Sequence, residues 1–343
     1  MALPRREPYA GSMLTSVAVF ALAAALEPSM IRLLPPDAGF LLGIEWRQAL
    51  TSPAGSVLEK RWTGGGALRQ IPGMGGLEKT LREDVDSLLV VGSAQDVSAR
   101  GREAALLIII RGRFDRVAIR QWLKGRVEIY KNIQVIAPAK TEPPNMRVAL
   151  VDDTTILAGH RRQVMPALDR LTARTGQVPA RLVQRAGELA ARHHAWLAIE
   201  APPGGFPSES GPQAKIAAQL TGLDVGVAFT EGLALEANLH ARSDTAARDL
   251  AAAVQGLVAM AALQQTESAD ASEVLRKVEV AAGPTAVRLR LSLTPADLQR
   301  GFQERRQTAA APAAPAPGPK QPAGPRKIRI LGLDEGPKEI LVK

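Results

Sequence analysis

Two stretches in the second half of the chain alternate apolar and polar residues with a period of two. In "LALEANLHAR" the odd positions from Leu235 to Ala241 are apolar and the even positions from Glu236 to Arg242 are polar. In "AVRLRLSL" the apolar positions run from Val287 to Leu293, and Arg288, Arg290 and Ser292 fall between them. This period predicts two β-strands, each with one apolar face and one face in contact with water.

Strand-like and helix-like segments also follow one another through the first half. The segments "DAGFLLGIEW", "SLLVVGSAQ" and "REAALLIIIRGRF" have the residue types and lengths of strands. A short helix is predicted over 114–124, and two hairpins are predicted to turn near Lys131–Asn132 and at Asp152–Asp153. Apolar spacing then predicts helices over about 161–174 and 179–193.

The same order of segments restarts at Ala195. The stretch "AWLAIEA" is followed by two more strand-like segments, a helix from about Thr245, a hairpin in "VEVAAGPTAVRLRLSL" and a helix start at Thr294. The repeated order predicts an α+β fold with mostly antiparallel sheets. We interpret it as a pseudo-duplication of two ferredoxin-like (split βαβ) halves, over 30–175 and 176–306.

The alternating strands supply the candidate binding residues. If the two strands share a sheet, His240, Arg242, Arg288 and Arg290 lie on the sheet surface that the helices leave open. Such a surface could dock an anionic partner. It could equally be a solvated sheet face without a partner, and the sequence leaves both interpretations open.

The N-terminus has the layout of a secretory signal. Arg5 and Arg6 precede an apolar run from Met13 to Leu26, and small residues follow in A-x-A spacing. An uncleaved membrane anchor remains the alternative for residues 1–25, and a buried N-terminal helix is the third possibility. We therefore expect an exported protein, periplasmic or associated with the envelope.

The C-terminus combines a linker and a strand-like tail. Residues 307–325 contain six prolines among Ala, Gly and Lys, which predicts a disordered linker. The tail, 326–343, then presents apolar residues suited to adding a strand to a sheet edge in this protein or in a partner. They are Ile328, Ile330, Leu331 and Leu333.

Composition limits the classes of function. The net charge is +9 and aromatic residues make up 3% of the chain. The charge permits an anionic partner, but a single-strand nucleic-acid binder would need aromatic residues among its basic ones, so nucleic acid is disfavoured. The chain has no cysteine, which excludes disulfides and thiolate metal sites.

The sequence shows no catalytic constellation. The four histidines lack metal-ligand spacing, and neither a metal nor a cofactor is expected. His193 and His194 are interpreted as cations at a helix end that reach its last carbonyls, and Asp152–Asp153 as a hairpin turn. The stretch "GMGGLEKT" departs from the phosphate-loop pattern and is interpreted as a helix connection.

The ends of the chain carry a resemblance. The signal-like start, the repeated α/β halves, the Pro/Ala linker and the closing "IRILGLDEGPKEI" resemble a group of uncharacterised exported bacterial proteins with a similar Ile-rich C-terminal segment. That group has no known activity, so the resemblance implies export and assigns no functional residue.

The sequence favours a non-enzymatic envelope protein that acts as a binding or scaffold module through sheet surfaces and the tethered tail. Its partner would be another envelope protein or an anionic surface, with the membrane involved only through an N-terminal anchor. The alternatives are an exported hydrolase and a binder of anionic polymers or nucleic acid. A cleft that gathers Asp152, Asp153 or Glu200 with a histidine would favour the hydrolase.

Overall fold

The computed structural model describes residues 26–55, 83–93, 105–139, 145–173, 179–202, 205–206, 217–264, 269–300, 326–330 and 338–342. The chain divides into a body that ends at Leu298 and a second unit from Gln299 to Lys343. The predicted signal segment, the linker, "GMGGLEKT" and the tail residues Leu331 and Leu333 lie outside the described residues.

The body is α+β, as predicted, and the strands in its described residues form one sheet of twelve. The strands are β1 (Ala38–Ile44), β2 (Val85–Ser93), β3 (Leu107–Gly112), β4 (Arg126–Tyr130), β5 (Ile133–Ala137), β6 (Met146–Leu150), β7 (Thr155–His160), β8 (Ala195–Glu200), β9 (Leu220–Phe229), β10 (Leu233–Ala241), β11 (Glu279–Ala282) and β12 (Ala286–Leu293).

The helices cover parts of this sheet. They are α1 (Pro28–Ile31), α2 (Trp46–Thr51), α3 (Arg116–Leu123), α4 (Arg161–Ala173), α5 (Ala180–Ala190), α6 (Asp244–Gln264) and α7 (Ala269–Arg276). Residues 295–300 are also helical. Within the described residues, no helix is both long and apolar enough to cross a membrane.

The strand order is β11-β12-β10-β9-β8-β1-β2-β3-β7-β6-β5-β4, and neighbouring strands pair antiparallel. The predicted antiparallel sheet is therefore confirmed, but the ferredoxin-like halves are not. A split βαβ unit places another strand between its first two strands, whereas β1 and β2 are direct neighbours here. The two halves also share one sheet, because β1 pairs with β8.

The two faces of the sheet pack against different helices. On one face, α4 and α5 cover a core that includes Leu41, Ile109 and Ala198, all fully buried. On the opposite face, α2 and α3 pack over β2, β7, β6 and β5. On that same face, α6 packs against β10 and β12 near the other end. Along the strands that lie between two such helix layers, apolar side chains on both faces of the sheet are therefore covered.

Trp196 lies where β8 pairs with β1. It lies opposite Gly43 on β1 and Gly226 on β9. A Cβ atom added at Gly43 would come within 2.3 Å of the indole, so the ring lies directly over the glycine backbone. Trp196 is 4% exposed, and the missing side chain on β1 is what makes room for it.

Local turn and cap chemistry explains several boundaries. The β4–β5 hairpin turns at Lys131 and Asn132, which both have positive φ, as a two-residue type I′ turn requires. Asp152 accepts hydrogen bonds from the backbone N–H and the hydroxyl of Thr154 in the β6–β7 turn. Both predicted turns are confirmed.

The predicted helix start at Thr294 is also confirmed. The Asp297 carboxylate accepts hydrogen bonds from the backbone N–H and hydroxyl of Thr294, and the Asp297 N–H donates back to that hydroxyl. This reciprocal arrangement is a capping box with aspartate in the position that glutamate usually occupies.

The tail forms a two-stranded antiparallel sheet of its own. Strand β13 (Arg326–Ile330) pairs with β14 (Lys338–Val342), and Ile328 lies opposite Ile340. Ile328 and Ile330 lie in β13. Docking of this tail on another sheet edge stays a prediction.

Candidate functional site

A polar surface runs along β10 and β12, which are neighbours in the sheet. His240 lies opposite Ala286, Asn238 opposite Arg288, and Glu236 opposite Arg290, so these even-numbered residues project from one face. Arg288 and Arg290 are exposed, while the odd-numbered residues of β12 are half-buried or buried. We call His240, Asn238, Glu236, Arg288 and Arg290 the polar face.

The polar face carries both signs of charge. Glu236 lies 3.4 Å from the Arg288 guanidinium and 3.9 Å from that of Arg192 at the end of α5. Arg288 also donates a hydrogen bond of 3.3 Å to the side chain of Asn238. Arg290 lies between Glu236 and Glu279 in the strand register. The predicted basic surface is therefore partly neutralised.

The fourth predicted residue, Arg242, follows β10 and lines a cleft with His240. The cleft has a volume of about 730 Å³ and lies between the start of α5 and the adjoining ends of β8, β9 and β10. Its lining comprises Pro179, Ala180, Arg181, Arg185, Glu200, Ala201, Pro202, Leu220, Thr221, His240 and Arg242. The structure thus divides the predicted residues between the cleft and the polar face, with His240 belonging to both.

A buried carboxylate lies beneath the cleft. Asp224, on β9, is 6% exposed. The Arg185 guanidinium contacts both of its oxygens, with Nε at 3.0 and 3.1 Å and Nη2 hydrogen-bonded to Oδ1. His240 Nε2 lies 2.6 Å from Asp224 Oδ2. Arg185 Nη2 also donates to the carbonyl oxygens of Ile199 and Leu223, so this arginine ties α5 to β8 and β9.

The protonation of this cluster follows from its contacts. Burial alone would raise the pKa of Asp224, but the hydrogen bonds from His240 and Arg185 outweigh it and hold that pKa below its usual value. The carboxylate is therefore ionised at neutral pH. Because an ionised carboxylate only accepts hydrogen bonds, Nε2 of His240 carries the proton in this contact.

The adjacent histidines at the end of α5 have a structural role. His193 Nδ1 lies 3.1 Å from the Leu189 carbonyl oxygen, which confirms the predicted contact with a terminal carbonyl. Burial lowers the pKa of His193, which disfavours the predicted cation at the helix end at neutral pH. His194 Nδ1 instead accepts a hydrogen bond from the Phe229 N–H.

Of the residues named for a hydrolase, Glu200 meets the stated condition of a cleft shared with a histidine, and the two aspartates do not. Asp152 and Asp153 remain in the β6–β7 turn and take no part in the cleft. Glu200 does line the cleft together with His240. Sequence reasoning did not identify Asp224, Arg181 or Arg185, although "GLDVGV" places a lone aspartate between two glycines on one face of a strand.

Comparison with known proteins adds little to this picture. No protein-family model and no curated protein sequence matches the chain. Crystal form III of TP0453 is similar with a TM-score of 0.48 and 9% identity, covering 82% of this chain and 99% of that one. Crystal form IV gives a TM-score of 0.47 and 10% identity, covering 82% and 97%. Both similarities concern the fold only.

Proposed function

We propose that the protein is a non-enzymatic binding module of the bacterial envelope, which reaches an anionic partner through the polar face and its tethered C-terminal strands. The observation that supports this most is the position of Arg288 and Arg290, both exposed on the wet side of β12. The apolar side of the same strand is held by α6. Side chains fixed by a packed strand lose less freedom when they bind than loop side chains would.

Charge reversal tests the polar face. We expect R288E/R290E to weaken binding to polyglutamate by about tenfold or more at low salt, because like charges then face each other at short range. The measurement is fluorescence anisotropy with labelled polyglutamate at two salt concentrations. The double variant R120E/R126E, altered at two exposed arginines on α3 and β4, carries the same net charge and is the matched control. If polyglutamate binding weakens equally in both variants, the cause is the net charge of the protein and not the polar face.

Export is the second part of the proposal and rests on the sequence of residues 1–25 and on the resemblance to exported proteins. Fusing residues 1–30 to a phosphatase that becomes active only outside the cytoplasm should give active enzyme in a bacterial host. An R5E/R6E fusion should lose most of that activity, because the positive charge before the apolar run orients a signal segment. An inactive wild-type fusion would refute export.

A hydrolase is the second candidate, and the contact between Asp224 and His240 beside Glu200 is the observation that favours it. Against it, Thr221 is the only hydroxyl side chain among the described residues that line the cleft, and it makes no hydrogen bond to His240 there. A positioned base would have to reach its nucleophile or a water. Ester or peptide hydrolysis by the wild type that H240A abolished would establish the hydrolase and overturn the binding-only proposal.

A pseudo-duplication remains part of the proposal. The order β1-β2-β3-β7-β6 has a counterpart in β8-β9-β10-β12-β11, with β1 and β8 adjacent at the centre. An experimental structure in which these two sets superpose strand for strand would support a duplicated unit. Sets that differ in strand tilt or register would count against it.

A further inference from the structure

The cleft at the start of α5 contains two arginines with free guanidinium groups. Arg181 and Arg242 are both exposed, and neither forms an ion pair with any residue in the part of the chain that the structure describes. Arg185 differs, because its Nε and Nη2 donate hydrogen bonds to Asp224 and to two backbone carbonyls. The guanidinium groups of Arg181 and Arg242 are therefore available to a ligand, whereas that of Arg185 is bound mainly to other parts of the protein.

The charge balance of the cleft matches a single negative charge. Three arginines are opposed by Glu200 in the lining and by Asp224 beneath it, which leaves one positive charge. Helix α5 starts here with Pro179 at its N-cap and no side-chain cap, so the positive end of its dipole adds to the attraction. A doubly charged phosphate would also meet Glu200, which disfavours it.

The rest of the lining indicates the chemistry of the ligand beyond its charged group. Pro179, Ala201, Pro202 and Leu220 provide apolar surface, and about 730 Å³ is within the usual range for a small-molecule site. The Glu200 side chain is 29% exposed and lies 3.9 Å from Arg185, beyond hydrogen-bond distance. Its oxygens can therefore accept a hydrogen bond from a donor next to the charged group.

We propose that this cleft binds an apolar monocarboxylate, with Arg181 and Arg242 on the carboxylate and Glu200 accepting a hydrogen bond from an N–H or O–H beside it. The free carboxyl end of a peptide and an acylated amino acid both have this chemistry. The inference goes beyond the proposed function, because the polar face can act without it.

The test uses small ligands that differ in one group each, titrated into the full-length protein and followed by NMR. N-acetyl-leucine is expected to bind at about millimolar affinity. Its uncharged analogue N-acetyl-leucinamide should not bind measurably, and 4-methylpentanoate, which lacks the donor, should bind at least about threefold more weakly. Inorganic phosphate should bind more weakly than N-acetyl-leucine. A phosphate affinity equal to or above it, or binding of the amide, would overturn the proposal.

Variants locate the site. R181Q/R242Q should weaken N-acetyl-leucine binding by about tenfold or more, since each lost guanidinium removes a charge-assisted hydrogen bond. The control R120Q/R126Q, altered at two exposed arginines on α3 and β4, has the same net charge and should bind within about twofold of the wild type. Unchanged binding by R181Q/R242Q, or no binding by the wild type, would overturn the inference. If polyglutamate binding and its loss in R288E/R290E persist in that case, the proposed function stands without the cleft.

Discussion

Replacing Arg185 by leucine is expected to lower the free energy of unfolding by about 3–5 kcal/mol. The side chains of Arg185 and Asp224 are 15% and 8% exposed. Without the guanidinium, an ionised carboxylate would stay buried with only the His240 contact, and the carbonyl oxygens of Ile199 and Leu223 would each lose a donor. Urea unfolding followed by circular dichroism measures the change.

Two further variants separate charge burial from the loss of packing. R185L/D224N should recover part of the lost stability, because it removes the unpaired charge. The control R192L, just after the same helix, removes a 3.2 Å hydrogen bond to the Glu188 carbonyl and a 3.9 Å contact with Glu236, both at an exposed position, and should cost less than about 1 kcal/mol. If R185L/D224N is no more stable than R185L, the ion pair is not the cause.

The pH dependence of stability provides a second test of the same pair. The pKa of Asp224 is depressed in the folded protein, so its stabilising contribution is present above the pKa of an unfolded aspartate, about 3.9, and is lost as the pH falls below it. The stability difference between the wild type and R185L/D224N should therefore shrink on acidification below about pH 4. A difference that stays constant with pH would contradict an ionised Asp224.

Replacing Trp196 by alanine is expected to cost about 3–5 kcal/mol, because it opens a cavity at the seam where β8 meets β1. The indole fills the space above Gly43, so G43A should destabilise the wild type by about 1–3 kcal/mol through overpacking. In the W196A background the same G43A change should cost much less. Chemical unfolding of the four proteins in this cycle gives the coupling energy.

Gly256 on α6 is the matched control for that cycle. An added Cβ would meet nothing within 4 Å there, so G256A should be neutral or stabilise the helix by up to about 1 kcal/mol. If G43A destabilises the wild type and W196A equally, the indole does not occupy the space that a side chain at position 43 would need.

The elements were predictable from the sequence because each depends on short-range chemistry. Alternation identified β10 and β12, and the Lys131–Asn132 and Asp152–Asp153 pairs identified two turns. The strand order was not predictable in this way. Alternation tells which side of a strand is apolar but not which strand pairs with it, so the direct pairing of β1 with β2 and of β1 with β8 had no local signal.

The site was predictable only in part for a similar reason. Strand period placed His240, Arg288 and Arg290 on one face, and the register of β10 with β12 confirms that placement. Arg185 falls beside the apolar stripe of α5, three residues after Leu182, but nothing in the sequence links it to an aspartate 39 positions later. The cleft exists because α5 lies across β8 and β9. This packing is tertiary structure, for which the sequence has no local signal.

The most direct test of the proposed function is an amide NMR titration of the protein with polyglutamate, compared between the wild type and R288E/R290E. We predict salt-sensitive shifts in the wild type that cluster on β10 and β12 around Arg288 and Arg290 and that disappear in the variant. Shifts that cluster elsewhere on the body, or that persist unchanged in R288E/R290E, would contradict the polar face as the binding surface.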